Sequence, residues 1–243
     1  VFGGALAAGS IYALLSLVTY RTLSDSVVAG VVVFLAWAVG RELDPDRPQV
    51  GLWAMPVAFA ALIYDLPSAL ASAAALVAIR VVAGTTGGPV SWVDVVALAF
   101  VGFLAGSDPV LWIIGLTLAI WLLTAPEVGG LQIVGLSALG IGSGIGVWLA
   151  DPAAVEITPD AYLLAAFAGG VMMLAMTPKS MASFTDTRSG PLSVYRVGLA
   201  RKTAGTFLMW AAVMGGVAGF WTLSPLLAAL IATAFAKWFT AGA

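Results

Sequence analysis

The feature that most constrains this chain is apolar sequence interrupted only by short polar, Pro or Gly breaks. Ten apolar stretches stand out, at about 1–20, 26–40, 51–64, 68–83, 93–106, 110–124, 131–150, 161–178, 202–221 and 225–240. Of the 243 residues, 61% are hydrophobic and only 9% are charged. A soluble domain carries roughly 25% charged residues. Charge this sparse could not cover a water-exposed surface, and it excludes a soluble globular enzyme or a disordered chain. The net charge of −2 provides no basic field to attract nucleic acid.

None of the stretches shows the alternation of a barrel strand, so helices are expected. The fold class expected is all-α: a polytopic integral membrane helical bundle of about eight to ten short transmembrane helices. A full span takes about 20 residues, and several stretches have about 15, or roughly 22 Å of helix. The breaks carry helix-start chemistry. Asp65-Leu66-Pro67-Ser68, Ser107-Asp108-Pro109, Asp151-Pro152 and Ser224-Pro225 each place a capping residue and a proline near a helix start. Residues 51–83 and 93–124 are therefore read as helical hairpins, with one long kinked helix each as the alternative. The opening Val1-Phe2-Gly3-Gly4 has no basic segment before the apolar run, so no signal peptide is expected.

Charge placement predicts a topology. With a cytoplasmic N-terminus, ten spans put 41–50, 84–92, 125–130 and 179–201 on the inner side. Arg41, Arg47, Lys179, Arg188, Arg196 and Arg201 fall there, Arg80, Lys202 and Lys237 fall at inner helix ends, and Arg21 falls outside. This is a positive-inside pattern, and it predicts a multi-pass protein of the plasma membrane with a cytoplasmic basic loop at 179–202. Trp53, Trp92, Trp112, Trp148, Trp221 and Trp238 fall near the expected interfaces as an aromatic belt.

A parallel internal repeat is a further expectation. Thr85-Thr86-Gly87-Gly88-Pro89-Val90-Ser91 resembles Thr187-Arg188-Ser189-Gly190-Pro191-Leu192-Ser193, and Thr117 and Thr124 match Thr233 and Thr240 in spacing. The organisation expected is a hairpin and charged turn at 1–50, a four-helix unit at 51–124, and a second at 131–243 that carries the basic loop. Parallel repeats occur in transporters, with the site near the repeat interface.

Candidate chemistry is sparse. The chain has no Cys and no His, which removes thiol nucleophiles, Cys/His zinc sites and the commonest neutral-pH base. Glu42, Asp44 and Asp46 could ligate a hard cation through oxygen, but Arg41 and Arg47 compete for the same carboxylates. The basic loop offers Lys179, Thr185, Asp186, Arg188, Ser189, Arg196 and Arg201, a set able to hold phosphate or an anionic lipid head group. Arg80 and Asp94 bracket the 85–91 loop and are read as a structural pair. Gly135, Gly140, Gly142, Gly144 and Gly146 crowd one helix, which suits close helix packing.

Three functions fit. The first is a small-solute transporter or channel-like carrier with its site between the two units, and no cofactor. The second is a membrane enzyme or binder acting on a lipid phosphate through the basic loop, with Mg²⁺ held by an acidic cluster. The third is a non-catalytic membrane subunit or scaffold. The expected partners are membrane lipids, anionic on the cytoplasmic side, and a second copy or a membrane subunit, with no nucleic acid.

Overall fold

The computed structural model describes residues 2–17, 22–85, 90–106, 115, 118–124, 129–150, 158–175 and 192–240. They form helices and contain no strand. In chain order the helices are α1 (Phe2–Leu17), α2 (Leu23–Leu43), α3 (Gln49–Ala61), α4 (Ala69–Ala83), α5 (Trp92–Leu104), α6 (Gly130–Ala150), α7 (Pro159–Ala175), α8 (Val194–Thr222) and α9 (Ser224–Thr240). A further helical piece covers 118–122. Three of them, α2, α6 and α8, are long and apolar enough to cross a membrane.

Local chemistry explains the helix starts. Ser68 caps α4 through its hydroxyl on the Ala71 N–H, as the Asp65–Ser68 break predicts. Thr22 with Asp25, and Ser91 with Asp94, form reciprocal capping boxes at α2 and α5. Each box satisfies backbone donors that have no partner inside the helix. The Ser107–Pro109 and Asp151-Pro152 breaks lie outside the described residues.

Packing places α2 at the centre, against α1, α3, α4, α8 and α9. Its small residues Ala29, Val32, Val33, Ala36 and Val39 are fully buried. The chain does break between α3 and α4, but the two helices do not pack as a hairpin. The chief neighbours of α3 are α2 and α9, and those of α4 are α2 and α8. Among the described helices, α5 and α6 pack mainly on each other and join the rest through α4. The outer faces are apolar: Val93, Val96 and Phe100 of α5, and Ile141, Ile145 and Trp148 of α6, are exposed. Large contiguous apolar surface is rare on a soluble monomer.

One boundary differs sharply from expectation. The helix expected at 202–221 begins at Val194, capped by Ser193 on the Arg196 N–H. Arg196, Arg201 and Lys202 therefore stand in helical turns, not in a basic loop.

Candidate functional site

Among the described residues, two places in the bundle gather polar groups. The first is the end where the C-termini of α2, α4 and α7 meet the N-terminus of α8. The last carbonyls of a helix lack partners within it, and buried backbone polar groups away from water are costly. Here α8 supplies the partners. Arg201 donates from Nε to the Leu43 carbonyl at 2.7 Å and from Nη1 to the Ala175 carbonyl at 3.0 Å. Its Nη2 lies 3.3 Å from Asp44 Oδ2. Arg196 donates from Nε to the Val82 carbonyl at 3.0 Å and from Nη2 to the Val81 carbonyl at 3.1 Å. Gln132 of α6 donates to the same Val81 carbonyl at 2.9 Å. The two arginines thus cap three neighbouring helices from outside them.

Sequence makes room for this. Gly84 ends α4 with φ 61°, a left-handed conformation that costs glycine least. A Cβ there would lie 2.6 Å from the Arg196 guanidinium. Burial is nearly complete, at 1% exposure for Arg201 and 7% for Arg196.

The acidic turn is part of the same end. Glu42 and Asp44 are each 3% exposed. Glu42 accepts from Arg80 Nε at 2.8 Å and from the Thr85 hydroxyl. Asp44 faces Arg201 and, at 3.6 Å, Arg47. Glu42, Asp44 and Asp46 do not gather around one point, and no group of three or more potential metal-ligating acids occurs among the described residues. Two of the three carboxylates already face arginines, so the expected cation site is not assembled.

The expected Arg80–Asp94 pair is not formed. Arg80 pairs with Glu42, while Asp94 accepts from the Ser91 N–H at 2.7 Å and the Ser91 hydroxyl at 2.8 Å. The signal for that cap was present in the sequence as Ser91-x-x-Asp94. Of the expected phosphate set, Lys179, Thr185, Asp186, Arg188 and Ser189 lie outside the described residues. Arg196 and Arg201 both stand in the first turns of α8, but on different neighbours, with their guanidinium groups on protein carbonyls.

The second place is the turn between α8 and α9. Gly216 breaks α8 with φ 63° and ψ −152°, a conformation open in practice to glycine alone. The break has a geometric cause. Arg196 reaches Val82, and the Thr222 carbonyl accepts from the Ser72 hydroxyl at 3.3 Å. Those contacts span 26 positions of α8 but 10 of α4. In straight helix these are about 39 Å and about 15 Å. A straight α8 could not make both contacts, even with the side chains fully extended. Gly216 turns the last stretch of α8 back into the bundle.

The turn is consequently buried, with Leu223 to Leu230 all inside. Ser224 is 1% exposed, and its hydroxyl has no hydrogen-bond partner among the described residues. Pro225 removes one backbone donor beside it. Sequence reasoning read Ser224-Pro225 as a helix start, and the Gly215-Gly216 pair was the one local sign of the break.

A third feature is apolar. An open groove of about 480 Å³ follows the seam where Gly9 of α1 and Gly30 of α2 approach, lined by Leu6, Leu14, Leu23, Val27, Val31 and Phe34. Two nearby hydroxyls, of Ser10 and Ser26, are bonded to the Leu6 and Thr22 carbonyls.

Comparison with protein-family models, with curated proteins and with solved structures found no match.

Proposed function

We propose that this is a multi-pass plasma-membrane protein that carries a small, uncharged polar solute past the broken α8–α9 turn. The single observation that supports this is the buried discontinuity at Gly216, with the unpartnered Ser224 hydroxyl beside it. Discontinuous helices are where transporters place their substrate sites. A buried hydroxyl with no partner is unfavourable by about 1–3 kcal/mol, a cost that a hydrogen-bonding solute would offset. The polar groups identified at the turn are hydroxyls and a backbone carbonyl, so a charged substrate would be stranded in a low-dielectric interior.

In this reading the charged end faces the cytoplasm, next to anionic head groups, in keeping with the positive-inside pattern. The two four-helix units at 51–124 and 131–243 belong to the proposal too. Their correspondence rests on the matched Gly-Pro-Ser segments and matched threonines. Catalysis on a lipid phosphate, with its Mg²⁺, is less well supported, because Arg196 and Arg201 already serve helix ends.

The test is flux in proteoliposomes, read by stopped-flow light scattering with glycerol, urea and similar neutral solutes. Wild type should accelerate solute entry over protein-free vesicles. Ser224→Ala should slow entry several-fold without lowering the thermal midpoint, since it deletes a hydroxyl that has no partner. Entry no faster than in protein-free vesicles would remove the carrier reading and leave a subunit or scaffold.

A further inference from the structure

The helices of this bundle are unequal in a way that bears on the lipid around it. Helices α2 and α6 have 21 residues each, about 31 Å at 1.5 Å per residue. Helices α3 and α5 have 13 residues each, about 20 Å on the same measure. The hydrocarbon core of a typical bilayer is about 30 Å thick.

The short helices are not hidden. Leu52, Trp53, Ile63 and Tyr64 are exposed on and just after α3, and Val93, Val96, Phe100 and Leu104 are exposed on α5. One end of each is marked by a carboxylate that cannot enter hydrocarbon. Asp65 follows the α3 turn, its carboxylate accepting from the Leu66 N–H at 2.8 Å. Asp94 is tied into the first turn of α5 by Ser91. A long Lys or Arg can snorkel out of the membrane, but aspartate is too short to do so. A long helix fits a thin bilayer by tilting, but tilting makes a short helix fit worse. The aromatic markers agree: Trp53 in α3 and Tyr64 in the turn just after it are 11 positions apart, too few to cross about 30 Å as helix. Tyr64 is also stacked on Trp221 at 4.7 Å, which fixes its level in the bundle.

We infer that the bilayer is thinned where it meets α3 and α5, and that the protein is matched to lipids with short acyl chains. This rests on the membrane-spanning reading above. The long helices adapt by tilt, whereas the two short ones set the thickness the lipid must meet.

The experiment reconstitutes the full chain into dimyristoleoyl-, dioleoyl- and dierucoyl-phosphatidylcholine vesicles. Extraction with alkaline carbonate comes first, and thermal unfolding is then followed in each lipid. Protein stripped from all three vesicles would overturn the membrane reading itself. Protein that resists extraction and unfolds earlier as the chains lengthen supports the match. Equal midpoints, or the highest midpoint in the longest chains, would overturn the thinning inference alone. Asp65→Leu lengthens the apolar run at α3 away from the charged end. It should flatten the dependence on chain length, and an unchanged slope would count against α3 as a cause.

Discussion

The charged end of the bundle and the α5–α6 contact hold helices together by opposite means. At the charged end, Arg196 and Arg201 bridge gaps between helices and bond to carbonyls of α2, α4 and α7. Between α5 and α6 there are no gaps to bridge. A Cβ at Gly102 would collide with the Leu139 carbonyl, one at Gly142 with the Ala99 carbonyl, and one at Gly106 with Gly146. Gly115 meets Gly140 in the same way, at 2.6 Å. In lipid, apolar side chains gain nothing by leaving solvent, so helices associate through close packing or through polar bonds. This chain uses one device in each region, and the two should fail differently.

The largest effect is expected from Arg201→Met. The substitution keeps an unbranched apolar side chain but takes the Arg201 guanidinium away from two helix-end carbonyls and from Asp44, which still faces Arg47 at 3.6 Å. Breaking a buried ion pair from one side costs about 3–5 kcal/mol, which would appear as a large drop in the thermal midpoint in detergent. Adding Asp44→Asn should recover part of it, because the buried carboxylate charge is then gone. If the double variant is no better than the single one, the carbonyl caps and not the charge dominate at this end.

Gly142→Val should come next. The obstacle it meets is the backbone of α5 at Ala99, which no side-chain rotation can clear. Overpacking costs about 1–3 kcal/mol. Among the described residues α5 and α6 pack mainly on each other, so the loss should be local. Proteolysis or hydrogen exchange should show the α5–α6 pair opening while α2, α4 and α8 keep their protection. Gly130 is a control at the start of the same helix: it is exposed and a Cβ there would meet nothing within 4 Å, so Gly130→Ala should change little. Simultaneous loss of protection in both regions would show that they are one cooperative unit.

How far these regions were legible in the sequence follows the range of the interactions. Apolar stretches and the Ser68 cap are local patterns, and they placed α3 and α4 correctly. The glycine crowding at 135–146 is also local and points to packing, and Gly140, Gly142 and Gly146 meet backbone of neighbouring segments. Arg196 and Arg201 fall in a loop when charge alone is the guide, whereas they stand in α8. What permits their burial is the position of Leu43, Val82 and Ala175 at the ends of three other helices, and no local window contains that. The break at Gly216 was hidden for the same reason. Its cause is a length conflict between α4 and α8, set by contacts at both ends.

The smallest effect, and the sharpest contrast within the charged end, is expected from Arg80→Gln. Arg80 and Arg201 each face a buried carboxylate, but the Arg80 side chain is 50% exposed and the Arg201 side chain 2%. Glu42 would also keep the Thr85 hydroxyl as a donor. Half-exposed pairs lie near the surface limit, about 0–1 kcal/mol, and salt screens them. The difference between wild type and Arg80→Gln should therefore shrink at high ionic strength, while that for Arg201→Met should persist. The pair of melting curves at low and high salt separates the two cases. Equal salt sensitivity would mean that water reaches Arg201 as freely as Arg80. The charged end would then be a surface ion-pair network, and its contrast with the close-packed α5–α6 contact would rest on geometry alone.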